Sequence, residues 1–495
     1  MSKSPQNKAV FSGIWPYGML ALLVVAAYSV FEWQMQLDEA SVKLLMGICL
    51  ALCLVLFGAL LLTKKYDKTE SLIAFLLLCG VVMRIGYMLY TNILLRGHDI
   101  SNFDQKGHLD YVYQIFSTGR LPVSNESQFY HPPLQHILEA IVVKIYSLIR
   151  PGSEPIVLFE AAKIVPCFAT CASLFVCQSI CRALKLPQRA IALALAVIAF
   201  QPTFYLFSSS INNDAMMLFF YLLAVLYTIR WYAEPSMKHI VLLALAIGCG
   251  MMTKISVATV SFYTGIVFMI VLIQRWKEHT VKPLAGQFAA FLGISMPLGL
   301  WYPIRNWVKF GQPLNYVLDI NIPQLYCGDK SLWERFFSLP IGQLLNPLYC
   351  EPFGDYRLWL YTIKCSVFGE YSFDQHPWLA KALIAANIIL IALSLIAMLA
   401  IVFFGKKQSP MIRFGLFILW LIQIGFFVLF NVQYPYGCTM DFRYIVPTVL
   451  IGAIYLGLWL DRWKQNGKAI AKIFSIVCLV FVALFCVASI LFYTI

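Results

Sequence analysis

One early stretch of this otherwise apolar chain concentrates polar side chains: Arg96-Gly97-His98-Asp99-Ile100-Ser101-Asn102-Phe103-Asp104-Gln105-Lys106-Gly107-His108-Leu109-Asp110-Tyr111. Carboxylates, imidazoles and a phenol are the groups that take up and release protons in catalysis. Asp104, His108 and Tyr111 stand at i, i+4 and i+7, so a helix here presents all three on one face. The turn Gly119-Arg120-Leu121-Pro122 follows, and Phe129-Tyr130-His131-Pro132-Pro133-Leu134-Gln135-His136 then opens an apolar-periodic helix. Any one of these residues alone reads equally well as part of a solvated loop. The combination does not.

The elements that must position them are membrane helices. The 495 residues are 60% hydrophobic and 12% charged, with mean hydropathy +0.75, whereas a soluble domain is roughly a quarter charged. The apolar residues form runs near the ~20 residues that cross a bilayer as a helix, and barrel-type strand alternation is absent. The runs predict 13 spans, at 14–34, 43–63, 71–94, 156–183, 187–210, 213–232, 238–256, 258–275, 285–304, 379–404, 412–432, 442–460 and 470–493. The seventh and eighth form one apolar stretch broken at Thr253-Lys254. The net charge of +13 does not point to nucleic acid, because most basic residues sit in short segments between spans. Examples are Lys64, Lys65 and Lys68, then Arg182, Lys185 and Arg189, then Lys406, Lys407 and Arg413. The short loop at 35–42 has no Lys or Arg. By the positive-inside rule the N-terminus is cytoplasmic and the C-terminus outside, and no cleavable signal peptide is evident. Two long segments, about 95–155 and 306–378, then lie on the outer face. The 14 cysteines show no paired C-x-x-C spacing, so zinc is not expected. Cys327, Cys350, Cys365 and Cys438 fall outside, where a Cys327–Cys350 disulfide can form.

An Asp opening a short helix after an early span, a Gly-x-Leu-Pro turn and a Tyr-x-Pro-Pro-Leu element together resemble the C-type membrane glycosyltransferases. The resemblance is to the branch containing protein O-mannosyltransferases and lipid A aminoarabinose transferases. Further elements agree in order: Asn212-Asn213-Asp214, Thr253-Lys254, Arg305-Asn306 before Gly311-Gln312-Pro313-Leu314, Phe368-Gly369-Glu370, and Phe442-Arg443-Tyr444. They place a catalytic core at about 71–460, with two N-terminal helices at 1–70 and a last helix at 461–495. The resemblance implies an all-helical membrane fold. It also implies an inverting transfer of a sugar from a polyprenyl- or dolichyl-phosphate carrier to a hydroxyl on a protein, glycolipid or cell-envelope polymer. A carboxylate takes the acceptor proton, and Asp104 matches the family's base, with Asp99 the alternate and Asp110 third. Cations receive the departing phosphate, for which Arg305, Lys254, Arg443 and His131 are the candidates. His131 stands where the aminoarabinose branch has Lys, which leaves the donor sugar open. His108, Tyr111, Asn213, Asp214 and Glu370 are candidates for contacting the acceptor or orienting the loops.

The bland readings stay beside these. Asp104 and Asn213 can simply cap helices, and Arg305 and Arg443 can anchor helix ends at the interface. Arg84, deep in the third span, needs an internal partner and reads as structural; Lys163 and Glu160 can pair locally. No aromatic is assigned as a sugar platform. There is no nucleotide-binding signature, so the partners expected are a lipid-phosphate sugar, a hydroxyl acceptor and membrane lipid, without nucleotide or nucleic acid. No cofactor is obligatory; a divalent cation beside the phosphate remains compatible, although no metal ligands are assigned. The alternative function is a multi-pass transporter or lipid-linked-sugar flippase, which predicts charges or broken helices in matching halves. A ligase-like enzyme or an inactive accessory subunit are lesser alternatives. The expected location is a plasma membrane, of bacterial type.

Overall fold

The computed structural model describes residues 15–63, 67–96, 107–318, 320, 322–373, 375–465 and 469–495. Among them the architecture is all-helical; the one β-type pairing is an isolated bridge between Tyr326 and Tyr436. Each of the thirteen predicted spans coincides with a helix, but the count of membrane-crossing helices is smaller. Ten are long and apolar enough to cross, and a bent pair, Gln188–Phe200 with Thr203–Ser209, makes eleven. Met237–Met251 has only 15 residues. Pro447–Gln465 carries Asp461, Arg462 and Lys464 in its last turns, too many charges for a uniformly apolar crossing. This is a multi-span membrane protein.

Local sequence sets several boundaries. Asp67 caps helix Lys68–Tyr90 by accepting from the amides of Thr69 and Glu70. Helix Lys282–Phe310 stops at Gly311, which takes the left-handed conformation (φ 68°). The helix after the first outer segment begins at His108, and Asp110 reaches back to accept from the Gly107 amide at 2.8 Å. It ends at Gly119, φ 65°. Asp110 is therefore a capping group. Of the predicted i, i+4, i+7 face, His108 and Tyr111 lie on this helix and Asp104 lies outside the described residues.

The core that carries the site is built from Asp214–Ala233, Met237–Met251 and Lys282–Phe310, packed side by side. Two glycines permit the close approach: a β-carbon at Gly248 would sit 2.8 Å from Leu298, and one at Gly299 2.9 Å from Met251. Small residues at such contacts are how membrane helices gain packing without a hydrophobic drive.

Two helices in this core are broken. At the first break, between Phe200 and Thr203, the fully buried Arg84 donates to the carbonyls of Ala199 (3.0 Å) and Ile198 (3.2 Å), which no longer have helical partners. Gln201 and Thr203 both donate to the Ser366 carbonyl, at 2.6 and 2.8 Å. In hydrocarbon every freed backbone group needs such a replacement, so Arg84 has the internal partners its position demands. The second break, at Met252–Lys254, divides the long apolar stretch as Thr253-Lys254 predicts. Here the Met252 carbonyl accepts from the Leu134 amide and the Thr253 carbonyl from Asn213, both at 3.0 Å.

Between the first, third and fourth spans, buried Lys163 pairs with Glu160 at 2.6 Å and with Glu32 at 2.7 Å. It also donates to the carbonyls of Met88 and Thr91, each at 2.9 Å. The local pairing of Lys163 with Glu160 thus extends to a third partner that ties down the N-terminal helix.

Candidate active site

The second break opens onto a cavity of about 730 Å³, within the size range of small-molecule sites. It draws its walls from both outer segments and from the helices between them. His108 and His131 come from the first segment, Glu370 from the second, Asn213, Asp214 and Lys254 from the core, and Arg443 from the turn before Pro447–Gln465. Seven of the residues singled out in the sequence therefore share one cavity.

Lys254 sits in extended backbone at the break (φ −152°, ψ 125°) and its ammonium contacts the Asp214 carboxylate at 2.5 Å. It is a paired cation, not the bare one that phosphate binding would suggest. Lysine carries three N–H donors, so a partner on one leaves others for a ligand. The Tyr444 ring brings the second cation close: Lys254 Nζ lies 5.4 Å and the Arg443 guanidinium 5.2 Å from its centre. The carboxylate of Asp441 lies near Arg443 and caps its backbone amide at 2.8 Å.

The polar floor holds unsatisfied acceptors. Asn213 holds the N-cap position of Asp214–Ala233 without a side-chain cap bond, and Asn212 before it accepts from the Asp214 amide at 3.1 Å. Asn213 instead spends its amide on the Thr253 carbonyl. Asn213 Oδ1 and Asp214 Oδ2 are buried and have no hydrogen-bond partner among the described residues, and both residues border the cavity. Orphaned buried acceptors cost about 1–3 kcal/mol each, so a bound ligand or water that donates to them is favoured. Behind them Gln135 donates to Glu139 (2.7 Å) and to the Asn212 carbonyl (2.5 Å). Burial pushes the Glu139 carboxyl well above its ordinary range.

The histidines form a layered group. His108 Nδ1 lies 2.8 Å from His136 Nε2, and the His131 ring lies over His108 with centres 5.3 Å apart. Burial first, and His108 second, lower the His136 pKa well below the usual imidazole value. Glu370 follows Gly369, whose φ of 63° with ψ of −150° is open to glycine and strained for other residues. Its carboxylate accepts from the Tyr361 hydroxyl at 3.0 Å. That contact fits the loop-holding reading, and its place in the wall leaves it within reach of a ligand.

Two predicted residues are placed elsewhere. Tyr111 is fully buried away from the cavity; its hydroxyl meets that of Tyr302 at 2.8 Å and donates to the His131 carbonyl. It orients the His131 backbone and cannot touch a ligand. Arg305 is also absent from the cavity wall. It donates to the Pro122 carbonyl at 2.5 Å and to Asn306, stitching helix Lys282–Phe310 to the Gly119–Pro122 turn. Its neighbour Asn306 takes the wall position and donates to the Tyr130 carbonyl at 3.2 Å. Asp104 and Asp99 lie outside the described residues. Among those described, no cluster of His, Cys, Asp and Glu could hold a metal.

The aromatic lining was missed in the sequence. Phe426, Phe427, Phe430 and Tyr434, from the end of Met411–Gln433, form an apolar wall, with Tyr130, Tyr316 and Phe353 opposite the polar floor. The signal was available as an aromatic stripe at helical spacing, but in an apolar span such a stripe usually faces lipid or core.

With this geometry, the likeness to known proteins can be placed. Residues 131–301 match the family described as dolichyl-phosphate-mannose-protein mannosyltransferase. The match covers about a third of the chain. The matched stretch begins at His131 and includes Asn213, Asp214 and Lys254, so four of the seven candidate cavity residues and the second break fall within it. The resemblance to C-type glycosyltransferases is thereby met. No curated protein matches the chain. Among solved structures it is similar to the apo oligosaccharyltransferase of Archaeoglobus fulgidus, at TM-score 0.47 and 14% identity over 86% of this chain. It spans 56% of the length of that enzyme. ArnT from Cupriavidus metallidurans is similar at TM-score 0.37 and 14% identity, over 88% of this chain and 77% of that one. ArnT bound to undecaprenyl phosphate gives TM-score 0.35 at 15% identity, with the same coverage. At TM-scores below 0.5 these likenesses bear on neither activity nor substrate.

Proposed function

We propose that this chain is an inverting glycosyltransferase that moves a sugar from a polyprenyl-phosphate carrier to a hydroxyl acceptor on the outer membrane face. One observation carries the reading: two cations, Lys254 and Arg443, flank Tyr444 in a cavity that also holds the orphaned acceptors of Asn213 and Asp214. A phosphate answers the cations, sugar hydroxyls answer the acceptors, and the aromatic wall suits the first apolar units of a lipid. The family description, with its dolichyl-phosphate-mannose donor, agrees with that division of labour.

The reaction then needs three things. The acceptor oxygen attacks the anomeric carbon as the bond to the phosphate oxygen breaks on the opposite face, which inverts the configuration. A carboxylate takes the acceptor proton, and Asp104 is assigned that role. It precedes Gly107, a cavity-lining residue, by three positions, a reach of at most about 11 Å along the chain. Lys254 and Arg443 stabilise the phosphate as its charge grows, an effect typically of ~10²–10³ in rate per donor. His131 is proposed to donate to the phosphate or acceptor, Glu370 to contact the acceptor or hold its loop, and the outward orientation follows from the loop charges. Mannose as the sugar, and a bacterial plasma membrane as the location, belong to the same proposal.

The test is transfer from defined polyprenyl-phosphate sugars by purified wild type and Asp104→Asn. Wild type is expected to turn over at least one donor, and the variant to lose ~10²–10⁴ of its rate. Unchanged turnover in the variant removes the base assignment. Failure with every lipid donor, together with solute movement in proteoliposomes, favours a transporter.

A further inference from the structure

The second outer segment contains a pair of thiols that the transfer reaction does not use. Cys350 ends the loop that leads into Pro352 and Phe353, both at the edge of the cavity. Cys365 lies in helix Leu358–Phe368. Their sulfurs stand 3.2 Å apart, and the Cys350 thiol also contacts the Tyr361 carbonyl at 3.5 Å. Cys327 does not meet Cys350 in the way its sequence position suggests. Its amide bonds to the Pro435 carbonyl at 2.9 Å, which holds it against the segment following Met411–Gln433.

The thiols meet where two functional parts join. Helix Leu358–Phe368 supplies Tyr361, which holds Glu370, and Thr362, which donates to the Met440 carbonyl at 2.9 Å. Lys364 donates to the Tyr349 carbonyl at 3.4 Å, and the Tyr349 hydroxyl to the Phe373 carbonyl at 2.7 Å. A bond between the sulfurs would fix the rim loop to the helix that aims Glu370. Closing from contact to bonding distance takes a shift of about 1 Å. Burial pushes both thiols upward in pKa. Since the thiolate is the reactive form, the bond is made while the segment folds, before the pair is enclosed.

We propose that Cys350 and Cys365 form a disulfide that staples the cavity's rim loop to the helix positioning Glu370. The inference rests on the outward orientation of this segment, because disulfides persist on the oxidising side of a membrane. Two S–H bonds give way to one S–S bond. The two electrons and two protons pass to the disulfide of a thiol oxidoreductase, which leaves as a dithiol after exchange through a mixed disulfide.

The test uses the full chain isolated from cells lysed in excess N-ethylmaleimide, denatured and digested without reductant. Mass spectrometry is expected to find Cys350 and Cys365 joined in one linked species, both without maleimide, while Cys327 carries it. Reduction should release two free thiols. In Cys365→Ser, Cys350 should become fully alkylated. Maleimide on both cysteines of the wild type, or a link from Cys350 to Cys327, overturns the proposal. Orientation is read separately by labelling Gly342→Cys, at an exposed glycine with open space around it, on intact cells with a membrane-impermeant maleimide. Labelling with both wild-type thiols alkylated sinks the disulfide and keeps the orientation; no labelling sinks the orientation itself.

Discussion

The two broken helices lose the same backbone hydrogen bonds and replace them in different ways. At Gln201-Pro202 the freed carbonyls of Ile198 and Ala199 are answered by buried Arg84, while Gln201 and Thr203 donate to the Ser366 carbonyl and Asn387 to the Ser366 hydroxyl at 2.8 Å. At Met252–Lys254 the freed carbonyls are also answered, by Leu134 and Asn213. The answering residues, however, leave Asn213 Oδ1 and Asp214 Oδ2 without partners at a cavity wall. A broken helix is therefore not itself a site. The site is the break whose replacement partners retain unspent hydrogen-bonding capacity at the border of a cavity. Charge behaves in parallel: Arg84 is surrounded by carbonyls and by the rings of Phe204 and Tyr205, whereas Lys254 balances Asp214 and still borders the cavity.

The sharpest way to break this contrast is at Lys254. Lys254→Met alone should lower both Tm and turnover, because it strands a buried carboxylate, a loss of about 3–5 kcal/mol. Adding Asp214→Asn should restore most of the Tm but leave transfer depressed by about 10²–10³. Recovery of both would make the pair structural, like Arg84. Next comes Arg84→Leu, which orphans the carbonyls of Ile198 and Ala199 at about 1–3 kcal/mol each. Thermal melts should show the fall, while turnover per folded molecule stays within about tenfold of wild type. A smaller change is expected at Arg305→Ala, which loses a hydrogen bond to the Pro122 carbonyl. It should cost about 0.5–1.5 kcal/mol of stability and leave the apparent affinity for polyprenyl phosphate unchanged.

The smallest effects are pH-dependent. The folded pKa of Glu139 is raised by burial. Its stabilising contribution is present below the unfolded value of about 4.3 and is lost as pH rises through the folded value. Glu139→Gln should therefore raise Tm modestly at pH 7 and flatten that part of the profile. His136 is shifted the other way. The unfolded state binds its proton more readily, so stability should decline as pH falls below about 6.5. His136→Asn should lessen that decline, read by melts across pH 5–8.

Much of the fold was legible because a membrane crossing writes itself as a run of apolar residues. All thirteen runs are helices, and where the count differs the cause is length at Met237–Met251 and charge at Pro447–Gln465. The polar floor was legible for the same reason in reverse, since Asn213, Asp214 and Lys254 interrupt apolar stretches where polarity is costly. Arg305 was misplaced because a long side chain at a helix end can turn either to a ligand or to a neighbouring loop, and sequence does not say which. Tyr111 takes the loop-orienting one of its two expected roles, because its hydroxyl is spent on Tyr302 and the His131 carbonyl. The aromatic wall was invisible because Phe426 and Phe430 look the same from sequence whether they face lipid or a cavity.

The central claim is that Lys254 and Arg443 form a phosphate site beside an apolar wall. Binding of a polyprenyl phosphate and of the matching polyprenol to protein in nanodiscs, by wild type and Arg443→Ala, tests it most directly. The account predicts that wild type prefers the phosphate by at least about tenfold and that the variant loses most of this preference. Equal binding of alcohol and phosphate by wild type would contradict it.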